Sequence, residues 1–186
     1  MGASPIIRLA TARDVAGIAR VHVASWRVAY DGILPPEHIA SRTFERRRAM
    51  WTKWIGEQEE RRNFLLVAVA PNREIVGFAS AGPEREKDPD FAGEVQALYL
   101  HPAWFRHGIG RRLMNEAAWI LQRRGMNSML VWTFELNPAR HFYERLGGTR
   151  ARHKTVEFGG KPMAEIGFGW RDLAATFGAP PKSQKV

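Results

Sequence analysis

One segment restricts the possible folds more than any other part of the chain: an apolar strand, a short loop and two glycines that open a helix. Residues 94–100 form the strand pattern, residues 101–107 the loop, and Gly108-Ile109-Gly110 the helix start. Glycines let the backbone approach a ligand closely, and the free N–H groups of a helix N-terminus favour an anion. The segment predicts a phosphate site, with a tight turn that binds no ligand as the alternative.

The helix that follows the glycines has a strong amphipathic pattern. Its apolar residues repeat at helical spacing and end before Gly125: Leu113, Met114, Ala117, Ala118, Ile120 and Leu121. The residues at the start of this helix match neither of two common phosphate-binding loops. A dinucleotide fingerprint needs a glycine where Leu113 stands, and a nucleoside triphosphate loop needs Lys-Ser or Lys-Thr where Arg111-Arg112 stands.

Periodicity and turn residues predict the remaining elements. Thr11 and Asp14 have the spacing of a capping box, which predicts that a helix begins there, and Pro35-Pro36 predicts the end of that helical region. Further strands are predicted at residues 6–10, 64–70, 75–81, 128–135, 150–158 and 163–170, the last two joined by a Gly159-Gly160 turn. Further helices are predicted at residues 44–60 and 138–146, and a disordered tail at residues 174–186.

Length and composition limit the class of protein. A chain of 186 residues with 45% hydrophobic and 25% charged residues is expected to form one packed domain. It has no cysteine, which excludes disulfides, thiolate zinc sites and a cysteine nucleophile. No apolar stretch is long enough for a membrane span and the first residues lack signal-peptide features, so a cytoplasmic location is expected. The net charge of +9 has two interpretations. The basic residues lie on solvated helix faces, or they bind a polyanion such as nucleic acid.

The glycine loop resembles motif A of the GCN5-related N-acetyltransferases, the GNAT superfamily, whose consensus is Arg/Gln-x-x-Gly-x-Gly/Ala. Phe105 stands where that consensus has Arg or Gln, so no role is carried over to it. Two other segments resemble the same superfamily: residues 21–35, which match the first helix and turn of bacterial members, and residues 137–147, which end in Phe142-Tyr143-x-x-x-Gly147. The resemblance covers about residues 6–173.

This resemblance implies a fold and an activity. The fold is an α/β mixed sheet, mostly antiparallel and splayed, of six to seven strands flanked by about four helices, formed by residues 1–173 as one domain. The activity is transfer of an acetyl group from acetyl-CoA directly to an amine acceptor. A coenzyme-binding member without activity is one alternative, and a basic nucleic-acid-binding protein is another, less favoured one.

The resemblance also implies roles for individual residues. Coenzyme A is expected to contact backbone or side-chain groups of Leu98, Tyr99, Leu100, Arg106, His107, Gly108, Ile109, Gly110, Arg111, Asn137, Arg140 and Tyr143. Glu94 is expected to take the amine proton through water, with Glu135 as the second candidate, and Tyr143 to protonate the leaving thiolate.

The acceptor is the least determined part of this prediction. Trp26 and Tyr30 lie four residues apart on the first helix and either line an acceptor pocket or belong to the core. The acceptor is expected to be a small-molecule amine or an amine of a peptide or protein. The six histidines have no ligand spacing of a metal site, so no metal is expected, and the antiparallel strands make a homodimer plausible.

Overall fold

The computed structural model describes residues 4–158 and 160–181. Its strands are β1 Ile6–Leu9, β2 Phe64–Val69, β3 Ile75–Pro83, β4 Gly93–Leu100, β5 Met129–Phe134, β6 Thr149–Phe158 and β7 Lys161–Trp170. Its helices are α1 Val15–Ala29, α2 Pro36–Ala40, α3 Phe44–Glu57, α4 Ile109–Arg123, α5 Arg140–Arg145 and α6 Leu173–Phe177. Short 3-10 turns, Ala12–Asp14 and Pro102–Trp104, precede α1 and α4.

The strands form one mixed sheet in the order β1-β2-β3-β4-β5-β7-β6. Neighbouring strands are antiparallel except β4 and β5, which run parallel with α4 as the crossover between them. β4 and β5 pair only at Gly93 with Met129 and Glu94 with Leu130, and then diverge. The predicted sheet, mostly antiparallel, splayed and of six to seven strands, is confirmed.

α4 packs the apolar stripe predicted from the sequence against one face of the sheet. Leu113, Met114 and Leu121 are fully buried among apolar side chains of the central strands. Burying one such side chain stabilises a fold by about 1.5–3 kcal/mol. Arg111 and Arg112 are exposed on the opposite side of the helix. The stripe therefore fixes the N-terminus of α4 at the end of β4.

α1 and α3 cover the other face of the sheet. Trp51 of α3 packs edge-on against Phe78 of β3 with 5.0 Å between ring centroids. Its indole N–H donates to Nδ1 of His22 on α1 at 2.9 Å. Burial, together with the nearby charges of Arg47 and Arg42, lowers the pKa of His22 to about 3, so the imidazole is neutral. A neutral histidine is thus the polar link between α1 and α3.

The predicted capping box at Thr11 and Asp14 is present. The Thr11 backbone N–H donates to Oδ2 of Asp14 at 2.8 Å, although the box opens the 3-10 turn rather than α1 itself. Arg8 of β1 donates to the same carboxylate at 2.7 and 2.8 Å. These hydrogen bonds lower the pKa of Asp14 and join the first strand to the start of α1.

Six helices lie in the described residues, more than the four or so that the sequence predicts. Pro36 opens α2 instead of ending a helical region, because proline has no backbone N–H and fits the first turn of a helix. α3 ends at Glu57, before the predicted end. No helix in residues 4–158 or 160–181 has the length and apolar composition needed to cross a membrane.

The prediction of a disordered tail from residue 174 is wrong for the residues of α6. Leu173 and Phe177 are buried in the core that α4 forms with the sheet. The Trp119 indole N–H donates to the Phe177 carbonyl at 3.0 Å, and Asp172 caps the helix. The pattern is too short to be recognised without this contact with α4. Gly159 and residues 182–186 lie outside the described residues.

We expect Leu173→Ala to lower the free energy of unfolding by about 2–5 kcal/mol, because it leaves a cavity beneath α6. Thr176→Ala, an exposed change on the same helix, is the control and should stay within about 0.5 kcal/mol of the original protein. Urea unfolding followed by circular dichroism measures both. Equal stability of the two variants would mean that α6 is not part of the core.

Candidate active site

A cleft of about 860 Å³ lies where β4 and β5 diverge. One wall is formed by residues 95–100 of β4, and the other by residues 131–133 and 136–139. Residues 95–100 pair only with β3, so within the described chain the backbone groups that face β5 have no strand partner. α1 borders one opening of the cleft, and the start of α4 borders another. The gap thus exposes backbone donors and acceptors to a ligand.

The loop before α4 presents a row of backbone N–H groups. Arg106 and Gly108 have left-handed φ angles of 64° and 74°, which turn the chain sharply before the helix. Within the described part of the chain, the N–H groups of residues 106–111 have no hydrogen-bond partner. The first turn of α4 carries no acidic side chain and contains Arg111 and Arg112. Since the positive end of the helix dipole favours an anion, this loop can serve as an anion cradle.

Most of the predicted coenzyme-binding residues meet around the cleft. Those that line it are Leu98, Tyr99, Leu100, Arg106, Gly108, Ile109, Gly110, Arg111, Asn137 and Tyr143. His107 and Arg140 fall outside the lining. The His107 imidazole lies 2.8 Å from the Phe105 carbonyl, and the Arg140 guanidinium donates to the Glu135 carbonyl at 2.6 Å.

Tyr143 of α5 lies against the cleft with most of its ring in the core. Its ring centroid is 5.4 Å from that of Phe142 and 5.8 Å from that of Phe168. Burial raises the pKa of Tyr143, and the nearby Tyr99 raises it further. The hydroxyl therefore keeps its proton at neutral pH and can act as a donor.

Glu94 is held in an ion pair at the point where the two strands separate. Its side chain is 1% exposed, and both of its oxygens accept hydrogen bonds from the Arg85 guanidinium, one of them at 2.8 Å. The Arg85 backbone N–H also points to this carboxylate at 3.3 Å. Glu135, the second candidate base, is 43% exposed and lies 3.8 Å from His153. Neither carboxylate is among the described residues that line the cleft.

The two predicted acceptor residues occupy different positions. Tyr30 lines the cleft, and its hydroxyl lies 3.5 Å from that of Tyr99. Trp26 lies one layer behind, with its ring centroid 4.3 Å from that of Tyr30, and does not line the cleft. Both belong to a buried aromatic cluster with Phe134 and Leu34. Tyr30 thus borders the cleft while Trp26 packs behind it, and an acceptor-binding role of the pair stays a prediction.

Sequence reasoning missed several residues of the cleft. Phe105 and Leu136 line it, although they are large apolar side chains with 39% and 67% exposure. Exposed apolar residues beside a polar motif are a signal that could have indicated ligand contact. Arg145 of α5 also lines the cleft. Residues 4–158 and 160–181 contain no group of three or more His, Asp or Glu side chains that could hold a metal ion.

Residues 17–148 match the model of the acetyltransferase (GNAT) family. The chain belongs to the GNAT family. It is 34% identical over 169 residues to YuaI, an uncharacterised N-acetyltransferase of Bacillus subtilis, a match that covers 91% of this chain and 94% of that protein. The family and the N-acetyltransferase class predicted from the glycine loop and the Phe142-Tyr143 segment are confirmed.

Solved structures of GNAT proteins share the fold. PaiA N-acetyltransferase of Thermoplasma acidophilum, solved with coenzyme A, has a TM-score of 0.68 at 22% identity, covering 88% of this chain and 98% of that one. The protein yncA of Salmonella typhimurium, solved with its cofactor acetyl-CoA, has a TM-score of 0.65 at 22% identity, covering 92% of this chain and 95% of that one. At such identities the likeness concerns the fold.

We expect Gly108→Asp to weaken binding of coenzyme A at least about tenfold, because the carboxylate enters the anion cradle and repels the pyrophosphate. Gly108→Asn is the matched control: asparagine has nearly the same shape, tolerates the left-handed φ and carries no charge. Titration calorimetry measures both. If the two variants bind coenzyme A equally well, the loop does not hold the pyrophosphate.

Proposed function

We propose that this GNAT protein transfers the acetyl group of acetyl-CoA directly to an amine that enters the cleft from the side of α1. The observation that carries the proposal is the gap between β4 and β5, which has an anion cradle at one end and Tyr143 beside it. Release of free coenzyme A thiol that depends on an added amine tests the reaction. A chain that binds acetyl-CoA but releases no thiol with any amine contradicts it.

The chain has groups that suit the pyrophosphate, the pantetheine arm and the thioester of acetyl-CoA. The N–H groups of residues 106–111 would hold the pyrophosphate, and Arg111 adds a positive charge beside them. The unpaired backbone of Leu98, Tyr99 and Leu100 would pair with the amides of the pantetheine arm as a neighbouring strand does. The thioester that acetyl-CoA supplies would then lie in the gap, with its carbonyl near the backbone N–H groups of β4.

Two features favour direct transfer. The chain has no cysteine that could carry the acetyl group as a second thioester. The cleft is lined by Ser25 of α1 and by Tyr30, which follows that helix, as well as by Phe142 and Arg145 of α5, so it passes between the two faces of the sheet. An amine can therefore approach from one face while the coenzyme occupies the other. The acetyl group can then pass from the thioester to the amine in one step, without an acetyl-enzyme intermediate.

Tyr143 would donate a proton to the departing thiolate. Burial raises its pKa, which keeps the hydroxyl protonated before transfer, and its ring is fixed by Phe142 and Phe168. General acid catalysis by a positioned side chain contributes about a hundredfold to ten-thousandfold to a rate. The core packing of the ring thus serves to place the hydroxyl.

We expect Tyr143→Phe to lower kcat about a hundredfold or more while the affinity for acetyl-CoA stays the same, because only the hydroxyl is removed. Steady-state kinetics and titration calorimetry together check this. An unchanged kcat would remove the acid role and leave Tyr143 as a residue of the core.

The amine must lose a proton before or during transfer. An alkylammonium with a pKa of about 10.4 is neutral in only about one molecule in a thousand to ten thousand at pH 7, equivalent to about 4–5 kcal/mol. Glu94 would take this proton through water, since it lies next to the gap but does not line the cleft. Arg85 must release at least one carboxylate oxygen first, and its side chain is 58% exposed, which leaves it room to move.

Two variants separate a base from a structural ion pair. If Glu94 is the base, Glu94→Gln should lower kcat about a hundredfold, whereas Arg85→Met, which keeps the carboxylate, should lower it less than about tenfold. If the pair only supports the fold, both variants should lose activity and melting temperature to the same extent. Kinetics over pH 6–9 and thermal melting by circular dichroism distinguish these results.

A further inference from the structure

Three buried N–H donors lie near α1, the side of the cleft from which we propose that the amine enters. Within the described residues they have no hydrogen-bond acceptor. They are Nε1 of Trp26, Nε of Arg42 and Nε of Arg47, and none makes a hydrogen bond of normal geometry within residues 4–158 and 160–181, although the Trp26 indole lies near enough to the Tyr99 hydroxyl to lower its pKa. Leaving a buried donor unpaired costs about 1–3 kcal/mol, so three such donors together are unusual for a finished core. They lie close together: the guanidinium carbons of Arg42 and Arg47 are 4.8 and 5.6 Å from the centroid of the Trp26 ring.

The two guanidiniums also lack a counter-ion. In the described part of the chain no carboxylate forms an ion pair with Arg42 or Arg47, although Arg47 is only 8% exposed. Their other side-chain contacts involve no carboxylate: Arg42 lies 2.9 Å from Nε2 of His38, and Arg47 donates to Sδ of Met50 at 3.2 Å. Burial lowers the pKa of each arginine, and the repulsion from Arg42 lowers that of Arg47 further.

Three other arginines of this protein are paired with a carboxylate. Arg8 binds the Asp14 carboxylate, Arg85 binds Glu94, and Arg152 binds Asp88, all with two hydrogen bonds. A buried cation without an anion is costly, and an incoming anion relieves that cost. Arg42 and Arg47 therefore differ from the structural arginines in the way expected of groups that bind a charged ligand.

The unpaired donors adjoin the cleft through Tyr99. Its hydroxyl lies 3.5 Å from that of Tyr30, and both tyrosines line the cleft. The charges of Arg47 and Arg42 act on the same hydroxyl and oppose the rise that burial causes in the pKa of Tyr99. His22, whose ring stacks on Tyr99 with 4.7 Å between centroids, is neutral and supplies no compensating charge. Arg42, Arg47 and Trp26 thus form a positively charged, aromatic-walled cluster behind Tyr30 and Tyr99, next to the cleft but not part of its lining.

We propose that Arg42 and Arg47, with the indole N–H of Trp26, bind a carboxylate of the acceptor, so that the acceptor is a small amine that also carries a carboxylate. This inference rests on the proposed acetyl transfer and names its substrate class. Guanidinium groups match carboxylates in geometry and charge, and the aromatic rings around them exclude water, which strengthens the pairing. An amine without a carboxylate leaves the charges of Arg42 and Arg47 uncompensated and therefore binds more weakly.

Matched acceptors test the inference directly. Coenzyme A release is measured with L-α-amino acids and with ω-amino acids of two to six carbons, each compared with its own amide, which keeps the amine but has a neutral carboxamide in place of the carboxylate. We expect kcat/KM for the best carboxylated acceptor to exceed that of its amide about tenfold to a hundredfold. Equal values, or a preference for the amides, overturn the carboxylate site while the proposed acetyl transfer stands.

Variants locate the preference. Arg42→Met and Arg47→Met should each raise KM for the carboxylated acceptor about tenfold or more and leave KM for acetyl-CoA unchanged. Arg48→Met, which changes the exposed arginine next to Arg47 on α3, is the control and should leave both KM values as they are. Unchanged acceptor KM in both Arg42→Met and Arg47→Met overturns the assignment to these residues.

A binding measurement on the unaltered protein keeps the test independent of variant folding. The protein saturated with coenzyme A is titrated calorimetrically with the same amino acids and amides, and we expect heat of binding for the carboxylated members alone. Binding of the amides with equal affinity overturns the inference. Failure of the protein to bind acetyl-CoA at all is a different result, because it overturns the proposed function itself.

Discussion

The parallel pairing of β4 with β5 over only two residue pairs is the constraint on which the rest of the molecule depends. Each strand keeps its hydrogen bonds to the neighbour on its outer side, β3 for one and β7 for the other, so the sheet stays intact on both sides of the gap. Between them a strip of main chain has no partner in the sheet. Because buried backbone groups must be paired, such a strip is stable only in contact with water or a ligand.

The sequence predicts what depends on local pattern and misses what depends on distant contacts. The stripe of α4, the start of that helix at the glycines and the capping box at Thr11 follow from spacings of a few residues, and these structural predictions are right. α6 is stabilised by α4, which lies far earlier in the chain, so its few apolar residues carry no signal of their own. In the same way, the sequence alone predicts Glu94 to be a strand carboxylate without a partner, because nothing in the sequence indicates that Arg85 forms an ion pair with it.

The positive net charge has more than one structural origin. Arg152 and Arg171 pair with Asp88 and Asp90 and are largely neutralised. Arg106, Arg111 and Arg145 line the cleft, where a cofactor with several phosphates would balance them. A count of charges predicts a polyanionic partner but does not separate a coenzyme from a nucleic acid. Only the placement of the arginines around one cleft favours the small ligand.

α4 connects the last described residues of the chain to the anion cradle. Its C-terminal half is tied to that segment by hydrogen bonds from Trp119, Gln122 and Arg123 to the carbonyls of Phe177, Gly178 and Pro181. Its N-terminus offers the N–H groups of the cradle, about 22 Å away along a rigid helix of 15 residues. The cradle and residues 173–181 are therefore attached to opposite ends of one rigid element, so the contacts that hold the end of the described chain also help to fix the direction in which the cradle faces the cleft.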